Sequence, residues 1–145
     1  MQIMVSSCLL GKKTKYNGES NRQDTLIDFL KDYEVIPICP EVLGGLPIPR
    51  KSAERIANRV VTCDNDDVTE NFLNGALKTL EIAQKKNIKF AILKKNSPSC
   101  GYGKIYDGTF SHQLITGNGM TADLLAKEGI IILNEDNYQE YFKKV

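Results

Sequence analysis

Short apolar runs alternate along the chain with segments of helical periodicity, and this order restricts the possible fold more than any other feature of the sequence. Four runs have the length and composition of buried strands. They are residues 2–6 (QIMVS), 34–39 (EVIPIC), 89–95 (KFAILKK) and 130–133 (IIIL). Because strands and helices alternate, the pattern predicts an α/β fold, a three-layer Rossmann-like domain with a mainly parallel sheet. Pro37, inside the second run, predicts either an edge position for that strand or a strand of modest length.

The helical segments differ in how clearly the sequence defines them. Residues 67–87 have the clearest apolar periodicity, with Thr69 predicted as the N-cap. Residues 25–33, 120–129 and 137–145 have shorter amphipathic patterns. Residues 117–119, before the helix at residues 120–129, either serve only to reverse the chain or lead into helix amides that could bind an anionic or carbonyl group.

Three further segments are less regular. Residues 57–62 (ANRVVT) predict another short strand. Residues 40–50 contain three prolines and two glycines, which is the composition of a loop. Residues 101–119 form a long glycine-rich stretch in which we predict no regular element.

The size and charge of the chain limit its organisation and its partners. A chain of 145 residues with 41% apolar content predicts a single domain over residues 1–145. A formal charge of +1 gives no field that would attract polymeric nucleic acid or an anionic membrane. The apolar runs are too short to span a bilayer, and no signal peptide is evident. We therefore expect a cytoplasmic protein, either a monomer or a weak homodimer.

Three of the four cysteines occupy comparable positions. Cys8 and Cys39 come at or just after the ends of the first two strand-like runs, and Cys100 follows the third in the turn SPSCG. In an open α/β sheet, ligands bind outside the carboxyl ends of the strands, so these thiols are predicted to converge there. Cys63 lies in an acidic loop, TCDNDD, and is interpreted as incidental.

Several kinds of site remain compatible with three converging cysteines. They could be small apolar packing residues, since free cysteine is commonly buried. They could also bind zinc with one ligand missing, or an iron–sulfur cluster with one iron left open. The sequence contains no C-x-x-C pair of the usual zinc-ribbon or ferredoxin kind. His112, the one histidine, is either a fourth ligand or a solvated loop residue.

Several motifs together resemble those of the thiouracil desulfidase family. The motifs are VSSCLLG, CPEVLGGLPIPR, DVTENFLNGA, LKKNSPSCG, YDGTF, GNGMTADLL and GIIIL, and they extend over nearly the whole chain. The resemblance implies a [4Fe-4S] cluster held by Cys8, Cys39 and Cys100, with the fourth iron open to take sulfur from a thiolated nucleobase. It also implies that Glu41 is the acid/base residue and that Ser97 is important for activity. Oxygen is expected to strip such an exposed cluster in aerobically prepared protein.

From this resemblance the expected reaction replaces C=S by C=O in a thiolated pyrimidine, or in a related small thioamide, with release of hydrosulfide. Glu41 is expected to shuttle protons and Ser97 to donate a hydrogen bond. Ser99 is expected to donate to a cluster sulfur. One alternative is a non-catalytic module that binds metal or a cluster, or carries sulfur. Another is a nucleotide-binding α/β domain whose cysteines only pack.

Overall fold

The computed structural model describes residues 1–143. These residues contain eight strands and five α-helices, in the order β1 (Gln2–Ser6), α1 (Asp24–Phe29), β2 (Glu34–Ile38), α2 (Pro40–Leu43), β3 (Ala53–Ile56), β4 (Arg59–Thr62), α3 (Thr69–Lys85), β5 (Phe90–Ile92), β6 (Lys104–Tyr106), β7 (Leu114–Thr116), α4 (Met120–Lys127), β8 (Ile131–Leu133) and α5 (Tyr138–Lys143). Within this described part, no helix is long and apolar enough to cross a membrane. The segment 137–145 contains α5, and its last two residues lie outside the described residues.

The central sheet consists of four parallel strands in the order β2-β1-β5-β8. The predicted α/β class with a mainly parallel sheet is therefore confirmed. β2 is an edge strand, as Pro37 predicted, and Pro37 pairs in register with Val5. An edge strand tolerates proline because only one of its sides must supply ladder hydrogen bonds.

Helices cover both faces of this sheet, which gives the three predicted layers. Met4 packs in one core cluster with residues of α3 and α4, such as Ala83 and Leu125. Ile3 and Val5 pack in a second cluster on the other face, with residues of α1 and α5 such as Leu26 and Tyr138. Neighbouring residues of a strand point to opposite faces, so β1 divides its side chains between two cores.

The first residue of α3 differs from the prediction. Thr69 begins the helix rather than capping it, and the N-cap position is Val68. The Thr69 hydroxyl instead accepts a hydrogen bond from the Val60 N–H of β4, at 2.9 Å. Asp67 Oδ1 accepts the Thr69 N–H at 2.9 Å. The residue predicted to cap α3 therefore joins it to β4.

Two small antiparallel pairs and one short helix were not predicted. β3 pairs with β4, so the predicted strand at residues 57–62 is shorter, beginning at Arg59, and has a partner. β6 pairs with β7 inside the glycine-rich stretch. α2 lies in the segment assigned to a loop, and it begins with Pro40, whose missing N–H costs nothing at a helix N-terminus.

Candidate functional site

A cavity of about 650 Å³ lies at the carboxyl end of the central sheet. Cys8, Cys39 and Cys100 all line it, and each comes from a different connection that follows β1, β2 or β5. The structure thus brings the three thiols to the same cavity. Cys63 and His112 also line it, from the connection after β4 and from the loop between β6 and β7.

Cys8 lies in a short 3-10 helix, Ser7–Leu10, that turns the chain away from the end of β1. Gly11 ends this turn with φ of 92°, a left-handed conformation that glycine adopts without strain. Burial raises the pKa of the Cys8 thiol, and a hydrogen bond with the Asn21 side chain opposes that rise. Burial therefore disfavours the thiolate form of Cys8 in the metal-free chain.

Cys100 is the most buried of the three thiols, with 5% of the residue exposed. Burial raises its pKa to about 12, although a hydrogen bond from Ser6 Oγ to Cys100 Sγ, at 3.3 Å, acts in the opposite direction. Cys39 is held differently, since its thiol donates to the Thr14 carbonyl at 3.9 Å. The nearby Cys8 and Cys39 also raise the pKa of Cys100, because like charges disfavour ionisation.

The structure bears on the kind of metal site that the three cysteines could form. Among residues 1–143, no three cysteine, histidine, aspartate or glutamate side chains converge closely enough to hold one metal ion. A mononuclear zinc site needs all of its ligands on one ion, whereas a cluster binds each thiolate through a different iron.

The turn Ser97–Gly101 presents Cys100 and is fixed by α4. The amides of Met120 and Thr121 donate to the carbonyls of Pro98 and Ser99, at 2.8 and 3.0 Å. The first amides of α4 therefore bind carbonyl groups of the chain itself and are not available to a ligand. Gly119 is required at this contact, since a Cβ there would lie 2.5 Å from the Ser99 carbonyl.

Glu41, in α2, lies at the centre of a hydrogen-bonded group on the cavity wall. Its Oε1 accepts from Arg50 Nε at 3.0 Å, and its Oε2 accepts from Ser99 Oγ at 2.8 Å. The Arg50 side chain is only 7% exposed and also donates to the carbonyls of Thr14 and Pro47. Arg50 thus fixes Glu41 relative to the loop that follows β1.

The Ser97 hydroxyl makes one hydrogen bond within the turn and lies close to the hydroxyl of Ser99. Its hydroxyl oxygen accepts the Cys100 N–H at 2.7 Å, which shapes the turn. The same oxygen lies 3.3 Å from Ser99 Oγ, and either hydroxyl can be the donor. Ser97 is not within hydrogen-bond distance of Glu41 in the described structure, and Ser99 lies between them.

The structure also gives partners to the lysines that follow β5. Lys94 Nζ lies 3.0 Å from Glu135 Oε2, in a pair whose carboxylate side chain is 4% exposed. Lys95 forms a more exposed pair with Asp136, at 2.6 Å. Lys94 lines the cavity close enough to influence Cys8 electrostatically. These pairs join the carboxyl ends of β5 and β8.

Sequence reasoning did not identify Glu54 or Phe110 as cavity residues, and it considered Arg50 for orienting a substrate but set it aside. The signal for Arg50 was available, because it ends the motif that begins with Cys39 and Glu41, but arginines near strand ends are usually solvated. Glu54 lies in a strand too short to be predicted, and Phe110 lies in the loop between two such strands, β6 and β7. His112 packs edge-on against Tyr106 and is exposed.

Comparison with known proteins gives consistent matches. A family model described as 2-thiouracil desulfurase matches residues 3–137. An uncharacterized protein YbbK of Bacillus subtilis (strain 168) is 40% identical over 148 residues, which cover 95% of this chain and 98% of that protein. A solved structure of the [4Fe-4S]-dependent thiouracil desulfidase TudS is 42% identical, with a TM-score of 0.90, over 96% of this chain and 93% of that chain.

Proposed function

This chain belongs to the 2-thiouracil desulfurase family, and from that premise we propose that it is a [4Fe-4S]-dependent desulfidase. Its substrate is a thiolated pyrimidine such as thiouracil, and its products are the oxo base and hydrosulfide. The observation that carries the proposal is the meeting of three thiols from separate strand ends with Glu41 in one cavity. The similarity to TudS supports the same assignment.

The residues fit such a cluster in their chemistry and in their arrangement. Cys8, Cys39 and Cys100 would hold three irons, and the described residues supply no fourth thiol beside them except the exposed Cys63. Ser6 and Ser99 place hydroxyls within hydrogen-bond distance of Cys100 Sγ, at 3.3 and 3.7 Å. Donors to a thiolate sulfur are a usual feature around iron–sulfur centres. When bound, the cluster would supply a soft Lewis acid for the sulfur of the substrate.

The remaining work is proton transfer, which the side chains of this chain can perform. Water supplies the oxygen of the new C=O bond as the C=S bond breaks, and its protons leave with the sulfur. Glu41 would accept a proton from this water and return it to the departing sulfur, since Arg50 holds its carboxylate in place. Ser97 would donate a hydrogen bond as charge develops, whereas Ser99 would donate to Glu41. The reaction is hydrolytic and needs no electron donor.

We place the chain in the cytoplasm, as a single domain over residues 1–145 and as a monomer or weak homodimer. Its partner is a small molecule, a thiolated nucleobase or a related thioamide. A cavity of about 650 Å³ is within the size range of small-molecule sites. A net charge of +1 supports the absence of a polymeric nucleic acid partner.

The test is anaerobic reconstitution with iron and sulfide, followed by a hydrosulfide-release assay with 2-thiouracil and 4-thiouracil. We expect a brown protein that releases hydrosulfide and forms the oxo base in equal amounts. Single Cys8→Ala, Cys39→Ala and Cys100→Ala variants should lose bound iron, whereas Cys63→Ala should retain it. A protein that binds the cluster but releases no hydrosulfide would be the non-catalytic binding or sulfur-carrier module instead.

A further inference from the structure

The most unusual carboxylate of the cavity is that of Glu54, in β3. Glu54 lines the cavity and is only 9% exposed. No lysine, arginine or histidine of residues 1–143 forms an ion pair with it, in contrast to Glu41 and Glu135. A buried carboxylate without a cation is costly unless hydrogen-bond donors surround it.

Only one oxygen of Glu54 has such donors within the chain. Its Oε1 accepts the Gly108 N–H at 2.9 Å and the Phe110 N–H at 3.1 Å. Its Oε2 has no hydrogen-bond donor among the side chains and amides of the described residues. This second oxygen is therefore available to a donor that enters the cavity.

The loop bound by Oε1 is held in an unfavourable conformation. Phe110 and His112 both have left-handed backbones, with φ of 57° and 59°, and both line the cavity. Such conformations cost free energy for residues other than glycine and persist only where the surroundings impose them. Gly108, with φ of 94°, packs against Ile56, so the loop is fixed to β3 at two points. Glu54 thus holds the backbone of Phe110, a residue that lines the cavity.

We propose that Glu54 and Phe110 recognise the heterocycle of the substrate. Glu54 Oε2 accepts a ring N–H, and the Phe110 ring packs against the face of the planar ring. This inference rests on the proposed function and specifies its substrate class: a thiolactam ring with an N–H donor rather than an open-chain thioamide. The N–H donors of a thiolated pyrimidine match an acceptor with no other partner, and aromatic packing favours a flat ring.

The variant Glu54→Gln tests the hydrogen bond. The amide side chain of this variant keeps an oxygen for the loop and replaces the free acceptor by an N–H donor. For reconstituted protein with 2-thiouracil, we expect kcat/KM to fall about tenfold to a hundredfold, the loss typical of a hydrogen bond to a charged group. The effect should lie mainly in KM. Glu81→Gln, on the exposed face of α3, is the matched control and should behave as the parent protein.

Methylated substrates distinguish a loss of substrate recognition in Glu54→Gln from a structural effect of the substitution. We expect that 2-thiouracil methylated at the contacted ring nitrogen, either N1 or N3, is a poor substrate that Glu54→Gln does not impair further. For the other methyl derivative, Glu54→Gln should lower kcat/KM as much as it does for 2-thiouracil. An equal loss on all three substrates, or no loss on any, overturns the role of Glu54.

The variant Phe110→Ala tests the ring contact. We expect its KM for 2-thiouracil to rise about tenfold, which corresponds to the 1.4 kcal/mol of a tenfold change, while its kcat and its iron content stay at the parent values. Tyr102→Ala is the control, because Tyr102 is exposed and does not line the cavity. Loss of bound iron, or a fall in kcat with KM unchanged, would mean that Phe110 only supports the fold.

A binding measurement separates this inference from the proposed function. Should the reconstituted parent protein release no hydrosulfide, the proposed function fails, and uracil and its N1- and N3-methyl derivatives are then tested as ligands by saturation-transfer NMR. We expect uracil and one methyl derivative to bind the parent protein and to bind Glu54→Gln much more weakly. Absence of binding to the parent protein, or equal binding to both proteins, overturns the inference.

Discussion

Ser99 has one proton to donate, and three polar groups lie around its hydroxyl. Glu41 Oε2 is at 2.8 Å, Ser97 Oγ at 3.3 Å and Cys100 Sγ at 3.7 Å. The shortest contact is to a carboxylate oxygen, which can only accept. Ser99 therefore donates to Glu41, and its oxygen is left to accept from Ser97. The hydroxyl expected to serve a cluster sulfur is instead best placed to orient the carboxylate.

We predict that Ser99→Ala lowers kcat about tenfold to a hundredfold, less than the roughly 10²–10⁴-fold that a general acid–base residue itself contributes, while the iron content stays at the parent value. The reason is that Glu41 loses the donor to Oε2 but keeps Arg50 on Oε1. Turnover and iron content of the reconstituted protein measure the two effects. Ser52→Ala, at another position of the cavity wall, is the control. Unchanged kcat in Ser99→Ala would contradict this role.

At the scale of residues, the sequence predicted where the site residues lie in the fold better than which side chains they contact. Cys8, Cys39 and Cys100 each follow a strand, and the end of a strand is a local property that the sequence displays. The pairing of Arg50 with Glu41 depends on how residues 44–49 fold back over α2. The local sequence does not show that path, so Arg50 was considered only for orienting a substrate and not as the partner of Glu41.

At the scale of elements, α2 is positioned by direct contact between backbones. Gly75 of α3 faces Pro40, and a Cβ on Gly75 would lie 1.9 Å from the Pro40 carbonyl oxygen. Gly44, just after α2, makes the reciprocal contact with the Asn71 carbonyl oxygen, where a Cβ would lie at 2.0 Å. Side chains of any size at these two positions would separate α2 from α3. Since α2 carries Glu41, this packing also positions the carboxylate.

We predict that Gly75→Ala destabilises the protein by about 1–3 kcal/mol, the usual cost of overpacking, although alanine favours a helix by about 1 kcal/mol over glycine. Turnover should fall as well, because α2 must move. Chemical denaturation and the hydrosulfide assay measure the two effects. Asn74→Ala, exposed on the same helix, should leave both unchanged or increase stability slightly. A more stable Gly75→Ala protein would show that the helices separate freely.

The carboxyl ends of β5 and β8 are joined by two ion pairs of different burial. Glu135 pairs with Lys94 and also accepts the Lys95 N–H at 2.9 Å, whereas Asp136 pairs with Lys95 at the surface. We predict that Glu135→Ala costs about 3 kcal/mol, because a partly buried Lys94 is left unpaired. Asp136→Ala should cost less than about 1 kcal/mol. The free energies of unfolding of the two variants test this, and equal losses would contradict it.

The sequence predicted all four strands of the central sheet but not the two hairpins beside it. The central strands are buried, so their apolar runs are continuous and end in recognisable turns. β6 and β7 have three residues each, and β7 is exposed along its length. Strands this short are stabilised by the partner strand and by contacts such as that of Glu54 with the loop between β6 and β7. A local sequence pattern does not reveal such contacts.

At the scale of the whole molecule, the four parallel strands direct their carboxyl ends to a common edge, where the thiols and carboxylates collect. Folding the metal-free chain therefore removes thiols from water without a cation to accompany them. Burial raises the pKa of Cys100 to about 12 and also raises that of Cys8, against a value of 9.0 for a thiol in water. This makes the stability of the metal-free protein depend on pH.

The direction of this pH dependence follows from whether the folded or the unfolded chain holds the thiol protons more tightly. Below about pH 8 both states keep their thiols protonated, and the contribution of these groups to stability is fully present. Above pH 9 the unfolded chain releases the Cys100 proton while the folded chain retains it, so stability falls by about 1.4 kcal/mol per pH unit for each such thiol.

We predict that denaturant unfolding of the reduced, metal-free protein between pH 8 and 10.5 shows this decline. Cys100→Ala should have a slope smaller by about one proton, whatever its stability at pH 7. Identical slopes for the parent protein and Cys100→Ala would show that the Cys100 thiol ionises as easily in the folded chain as in water.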